Sequence, residues 1–286
     1  VQKLIRFWRE IACVILLAAN CFCWYVFLCE RPNDYFTVAV LNIGQGDSIY
    51  IESPTHNRMM VDGGPPHAVL SELRKVIPFY EHHIDTLLIT NPDADHYAGF
   101  IDVLNSYGVD RVIEPGTKTL TETYKIFDAE RVAKNIPKII ARRGMVIHLG
   151  SSTNLTILYP DRDVSAYSTN DGSIVAKLAY GSTSVMLTGD APSPVEEYVL
   201  AVNGPDVVKS TLLKVGHHGS RTSASDSFIS AVAPQAAMIS AGLNNMYGHP
   251  HKETLDLLNK YHIPALITFE EGTIIYHCTM QVCTRQ

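Results

Sequence analysis

Thr90-Asn91-Pro92-Asp93-Ala94-Asp95-His96-Tyr97-Ala98-Gly99 packs three metal-capable side chains, Asp93, Asp95 and His96, into four residues at the end of an apolar run. Ile84 to Thr90 reads as a short buried strand, and from Ala98 onward the spacing is helical. The motif therefore stands on a strand-to-helix turn at the carboxyl edge of a sheet, where α/β proteins bind ligands. Neighbouring side chains on a strand point apart, but on a turn that opens a helix Asp95 and His96 can face one ion.

Working outward, strands alternate with helices from Tyr35 to the end. Phe36–Ile43, Ser48–Glu52 and Arg58–Val61 read as strands, the last running into Asp62-Gly63-Gly64. A helix over Ala68–Val76, strand Ile84–Thr90, helix Tyr97–Ser106, strand Arg111–Glu114 and a helix over Thr121–Lys134 complete a first half. The second half has strands Ile174–Tyr180, Val185–Leu187, Leu212–Val215, Ala236–Ser240, Ala265–Phe269 and Thr273–His277. Helices over Val195–Ala201, Ser225–Val232 and Lys252–Tyr261 lie between them. Val61-Asp62-Gly63-Gly64 is echoed by Leu187-Thr188-Gly189-Asp190, an aspartate beside glycine at a strand end in each half. Two such halves predict two sheets packed face to face with helices outside, a four-layer αββα sandwich.

Asp190 and His217 stand at two further strand ends. With Asp95 and His96 they make a mixed oxygen and nitrogen set of ordinary composition for zinc or manganese. Each has a plain alternative as a helix cap or core histidine, but four such residues at strand ends favour a metal. Asp62 is expected to hydrogen-bond a ligand histidine such as His96. His218, Ser220, Arg221 and Thr222 lead into a helix and could cradle a phosphate. His249, between Gly248 and Pro250, could protonate a leaving oxygen.

Asn91-Pro92-Asp93-Ala94-Asp95-His96 resembles the His-x-His-x-Asp-His signature of the metallo-β-lactamase fold, and Asp62, Asp190 and the later His-His-Gly-Ser resemble the rest of that set in order. Leu41 to Ser48, Leu213 to Ser220 and Tyr247 to His251 are similar to the β-lactamase-like domain of ComEC-type competence proteins. The resemblance covers about Phe36 to His277. It implies one or two divalent ions, Zn²⁺ or Mn²⁺, and hydrolysis by a metal-bound hydroxide with Asp95, His249 and Arg221 in catalysis. It also implies a phosphodiester substrate such as single-stranded DNA, and a DNA-uptake channel as partner. The family's second ion draws on positions that here are Asn91, Asp93 and the Ser168–Ser173 segment, so Asp93, Asp190, Asn170 and Asp171 are its candidate ligands. Asn91 is a weak one. A surface hydrolase of small esters and a catalytically silent tethered module are the rival readings.

A net charge of −6 without long like-charge blocks excludes a basic stripe for sequence-independent nucleic-acid binding. Ile11 to Cys29 carries no charge and is long enough to cross a bilayer. Residues 1–34 are thus expected to be a membrane anchor and linker, and 35–286 the hydrolase domain. Lys3, Arg6 and Arg9 precede the apolar run, which keeps the amino terminus cytoplasmic and the domain outside. A cleaved signal segment, giving a secreted domain, is the alternative. Four cysteines (Cys13, Cys21, Cys23 and Cys29) lie in the apolar run as small hydrophobes. Cys278 and Cys283 can bridge only if Thr279–Val282 turns back, since an extended strand holds them too far apart.

Overall fold

The computed structural model describes residues 2–286. Contacts divide the chain into two units, Val1–Asn33 and Asp34–Gln286. In the first, Gln2–Cys29 is one 28-residue helix with no buried side chain, long and apolar enough to cross a membrane.

In the second unit, β1 (Tyr35–Val40), β2 (Ser48–Glu52), β3 (Arg58–Gly63), β4 (His83–Leu88), β5 (Gly108–Glu114) and β6 (Lys138–Ile140) come first. Then follow β7 (Val146–His148), β8 (Asn154–Tyr159), β9 (Val175–Tyr180), β10 (Thr183–Leu187), β11 (Leu212–Lys214), β12 (Ala236–Ile239), β13 (Ala265–Ile267), β14 (Ile274–Thr279) and β15 (Cys283–Arg285). One sheet has the order β15-β14-β1-β2-β3-β4-β5-β6 and the other β13-β12-β11-β10-β9-β8-β7.

Side chains of a strand alternate between faces, and this alternation builds the layers. Phe36, Val38 and Val40 of β1 join Leu155, Ile157, Val185 and Leu187 of the other sheet in one core between the sheets. Ala39, Tyr50, Met60 and Leu87 face the opposite way and pack with Leu73, Phe100, Val103 and Phe127 from helices. Met186, Leu213 and Ala237 likewise meet Val199, Phe228 and Leu258. The result is the expected four-layer αββα sandwich.

Several elements differ from the sequence expectation. The first strand ends at Val40, because Leu41 to Asp47 forms an irregular turn with Gly44 and Gly46 at φ +81° and +125°. The helix expected over Tyr97–Ser106 is two pieces, Ala94–Tyr97 and Phe100–Ser106, broken at Gly99. The last parallel strand stops at Ile267 and gives way to a short helix, Thr268–Glu271. β6, β7 and β8 had no counterpart in the sequence reading, and neither did β15. β15 turns back on β14 with Cys278 paired to Cys283, and the two cysteines form a disulfide.

Close backbone approach fixes the metal-capable turn. Gly99 N donates to Gly64 O at 2.9 Å and Gly64 N to His96 O at 3.1 Å. A Cβ on Gly99 would sit 2.0 Å from Gly63 O, a backbone atom that cannot swing aside. Gly99→Ala is therefore expected to destabilise the domain by about 1–3 kcal/mol, read as a lower urea midpoint at unchanged slope.

Candidate metal centre

Parallel pairing of β3 with β4 and of β10 with β11 brings the carboxyl ends of these strands to the site edge. Asp62, at φ 60°, is the last residue but one of β3. Its Oδ1 accepts from Thr90 N at 2.7 Å, and its Oδ2 accepts from Thr90 Oγ1 at 2.5 Å and lies 2.9 Å from His96 Nδ1. That carboxylate holds the proton of His96 on Nδ1 and turns Nε2 inward. Wholly buried His96 Nε2 lies 3.1 Å from Asp190 Oδ2, which follows β10 after left-handed Gly189.

The imidazole facing this group is His218. Its Nε2 stands 3.4 Å from Asp95 Oδ2 and 3.8 Å from Asp190 Oδ1. His217, the expected ligand, is more exposed; its Nε2 is 3.8 Å from Asp190 Oδ2 and its Nδ1 bonds Thr222 Oγ1 at 3.2 Å. Both histidines sit in the tight turn Gly216–Gly219 at φ 50° and 55°, so the chain winds left-handed and swings the second ring inward. His218, expected at the phosphate, thus takes the place foreseen for His217.

Three buried atoms, His96 Nε2, His218 Nε2 and Asp190 Oδ1, have no hydrogen-bond partner among the described residues. An orphaned buried polar atom costs about 1–3 kcal/mol, and three converging ones need a common partner. Asp95, His96 and His218 also offer ligand atoms within 4.8 Å of one another. These donors fit a divalent cation, and their nitrogen and oxygen mix suits zinc or manganese.

The field of the site points the same way. Burial pushes the Asp190 carboxyl up, but the His96 and His218 imidazoles outweigh it and hold it well below the carboxylate range. Burial lowers His96, yet Asp190 and Asp62 raise it well above the ordinary histidine value. For His218 burial is likewise outweighed by Asp190 and Asp47, which lift it to about 9. The acids draw positive charge onto these rings, where proton and metal compete.

The other half of the expected ligand set is closed upon itself. Buried Asn91 donates from Nδ2 to Asn170 Oδ1 at 2.7 Å, and its Oδ1 accepts from Asp93 N at 3.1 Å. Asp93 Oδ2 accepts from Thr169 Oγ1 at 2.8 Å. Exposed Asp171 accepts from Ser168 Oγ at 2.7 Å. These side chains satisfy one another, so a second cation would have to displace the loop that carries Thr169 and Asn170.

The amides just ahead of Asp226–Val232 are taken by a carboxylate of the protein itself. Glu196 accepts from Ala224 N at 3.1 Å and Ser225 N at 2.8 Å, while the Ser225 hydroxyl caps Phe228 N. Arg221 is turned outward, 3.8 Å from exposed Glu253. Ser220 Oγ and Thr222 Oγ1 pair at 2.9 Å, and Thr222 then reaches His217 rather than an open pocket. Burial raises Glu196 to about 7 despite those two amides. A folded pKa above the unfolded value means the native state binds the extra proton, so stability falls as pH rises from about 4.5 to about 7. Glu196→Gln is expected to flatten that slope in thermal melts at pH 5 and pH 8.

His249 is nearly buried and lies among rings, 5.4 Å from His217 and stacked on Tyr247 at 5.6 Å. Gly242 N donates to Gln45 Oε1 at 3.3 Å, which aims the Gln45 amide nitrogen at His249 Nδ1, 3.4 Å away. The ring proton of His249 is thus on Nε2. Burial first, then the neighbouring His218 and His217, lowers its pKa to about 4. Sequence reasoning passed over Lys214. The readable signal was a lysine inside the apolar run Leu212-Leu213-Lys214-Val215.

Residues 41–242 match the profile of the metallo-beta-lactamase superfamily. ComE operon protein 3 of Bacillus subtilis is 32% identical over 86% of this chain and 34% of its own length. Recombination protein 2 of Haemophilus influenzae is 28% identical over 84% of this chain and 28% of its own. The chain spans about a third of the length of these curated relatives. The metallo-beta-lactamase fold protein YhfI of Bacillus subtilis superposes at a TM-score of 0.58 with 13% identity, over 86% of this chain and all of that one.

Proposed function

Because this chain belongs to the metallo-β-lactamase superfamily, we propose that residues 35–286 are a metal-dependent phosphodiesterase acting on single-stranded or nicked DNA, tethered to the membrane by residues 1–34. The observation that carries this reading is the convergence of three orphaned ligand atoms, His96 Nε2, His218 Nε2 and Asp190 Oδ1. Asp95, His96, Asp190 and His218 would hold one Zn²⁺ or Mn²⁺. The self-bonded Asn91, Asp93, Thr169 and Asn170 favour a single ion over two.

A cation held there supplies Lewis acidity toward water and toward a phosphoryl oxygen. The protein does the rest. Asp62 keeps the His96 proton on Nδ1, so Nε2 remains a ligand. The Asp95 side chain is about a third exposed, the most open of the acids around the imidazoles. Burial would raise its pKa, but the His218 imidazole 3.4 Å away and the His96 charge keep it low and ionised. It is placed to accept a proton from an attacking water. His249, neutral near pH 7, offers Nε2–H to a phosphoryl oxygen rather than acting as an imidazolium acid.

Similarity to Recombination protein 2 of Haemophilus influenzae supports a nucleic-acid substrate. So does an open groove of about 460 Å³ lined by Tyr159, Arg162, Tyr167 and Tyr198 beside Ser168 and Asp171. The open Tyr167 and part-exposed Tyr198 rings with Arg162 offer a stacking surface for unpaired bases. Gln2–Cys29 is long and apolar enough for the tether; under this reading the domain lies outside the cytoplasmic membrane, with a DNA-uptake channel as partner. The test is turnover of bis-p-nitrophenyl phosphate and single-stranded DNA after chelation and after return of Zn²⁺ or Mn²⁺. Restored cleavage of both supports the reading. Small-ester turnover alone supports the surface esterase, and none at all a silent module.

A further inference from the structure

Two buried side chains outside the ligand set, Asp47 and Lys214, converge on the back of His218. Each is 1% exposed. Lys214 Nζ donates to Asp47 Oδ2 at 2.8 Å and to Val215 O at 3.0 Å. Asp47 Oδ1 lies 3.1 Å from His218 Nδ1, and Ser240 O lies 3.1 Å from the same nitrogen. A buried, unpaired ammonium or carboxylate is costly, so each of the two requires the other.

We propose that the Asp47–Lys214 pair is a positioning device for His218, holding its proton on Nδ1 so that Nε2 presents a lone pair toward Asp95 and Asp190. Two acceptors and no donor face Nδ1, which leaves the proton there. Asp47 is not itself assigned as a ligand, because Lys214 Nζ lies 2.8 Å from both its oxygens and His218 Nδ1 lies 3.1 Å from Oδ1. Lys214 supplies the charge that lets Asp47 stay ionised out of water; Asp62 behind His96 relies instead on two neutral donors of Thr90.

The device also joins the two sheets. Asp47 belongs to the turn before β2, whereas Lys214 and His218 come from β11 and the turn after it. The Asp47 turn is fastened to a second ligand and to β12's end. Asp47 N donates to Asp95 O at 3.1 Å, and Ser240 Oγ to Gly46 O at 2.6 Å. A Cβ at Gly46 would lie 2.3 Å from Asp95 O. One turn thus sets the spacing between Asp95 from one half and His218 from the other.

This inference rests on the metal reading above, and the test separates the two. In the full chain, the Asp47→Asn/Lys214→Met double variant removes both charges together and leaves no lone buried ion. Zinc affinity by chelator competition is expected to fall about 10- to 100-fold, with the metal-free melting temperature little changed. In a His218→Ala background the same double change is expected to cost less than about twofold, since its effect passes through His218. Equal losses in both backgrounds would make the pair merely structural and overturn the proposal. An independent reading needs no variant: in ¹¹³Cd-loaded wild-type protein with ¹⁵N-labelled histidine, cadmium is expected to couple to His218 Nε2. Coupling to Nδ1 overturns the proposal. Wild-type protein that takes up neither zinc nor cadmium overturns the metal reading and this inference with it. Zinc bound equally well by the double variant overturns this inference alone.

Discussion

His218→Ala is expected to lower zinc affinity by more than about 100-fold, beyond the 10- to 100-fold range that loss of an orienting partner costs. His217→Ala is expected to cost less than about tenfold, within what an orienting partner explains. The contrast follows from placement. His218 is 1% exposed, with an orphaned Nε2 facing Asp95 and Asp190 and a carboxylate behind its Nδ1. His217 has its Nδ1 on Thr222 and stands 3.8 Å from Asp190. Isothermal titration of each chelated variant with zinc reads the difference, and a larger loss in His217→Ala would return the ligand role to His217.

The second large effect is at Asp190. Its carboxylate faces His96, His217 and His218, and among the described residues no other acid meets all three rings. Asp190→Ala is expected to reduce phosphodiester turnover by at least about 10³-fold, because the Lewis acidity that a bound ion would supply is lost with it. Asn91→Ala removes only the bonds to Asn170 and Asp93 N. It is expected to cost about 1–3 kcal/mol of stability and less than about threefold in turnover. Comparable losses of turnover in the two variants would mean that Asn91 lies on the ion.

What could be read in the sequence and what could not divides along physical lines. The Asp93-Ala94-Asp95-His96 turn, Asp62 before two glycines and Asp190 after Gly189 are local patterns, each a strand running into a forced turn. The periodicity of the flanking strands was enough to predict two sheets with helices outside. The choice between His217 and His218 turned on left-handed backbone in a four-residue turn, which adjacent identical side chains do not disclose. The amides of Ala224 and Ser225 are taken by Glu196, some 28 residues away in sequence, and only tertiary packing brings that carboxylate in. The Asn91 amide is legible as a weak ligand, but its pairing with Asn170 spans 79 positions. Strands β6 and β7 are three residues each with little burial, too short for alternation to register. β8, Asn154-Leu155-Thr156-Ile157-Leu158-Tyr159, does alternate at its start and was the one missed strand with a readable signal.

The most direct test of the centre is the metal stoichiometry of the purified chain after chelation and equilibration with Zn²⁺ or Mn²⁺, read by native mass spectrometry. The account predicts one ion per chain, lost in His218→Ala and in Asp190→Ala and kept in Asn91→Ala. Two ions per chain would show that Asn91, Asp93 and Asn170 open to a second cation, and none would show that the converging imidazoles and carboxylates do not form a metal site.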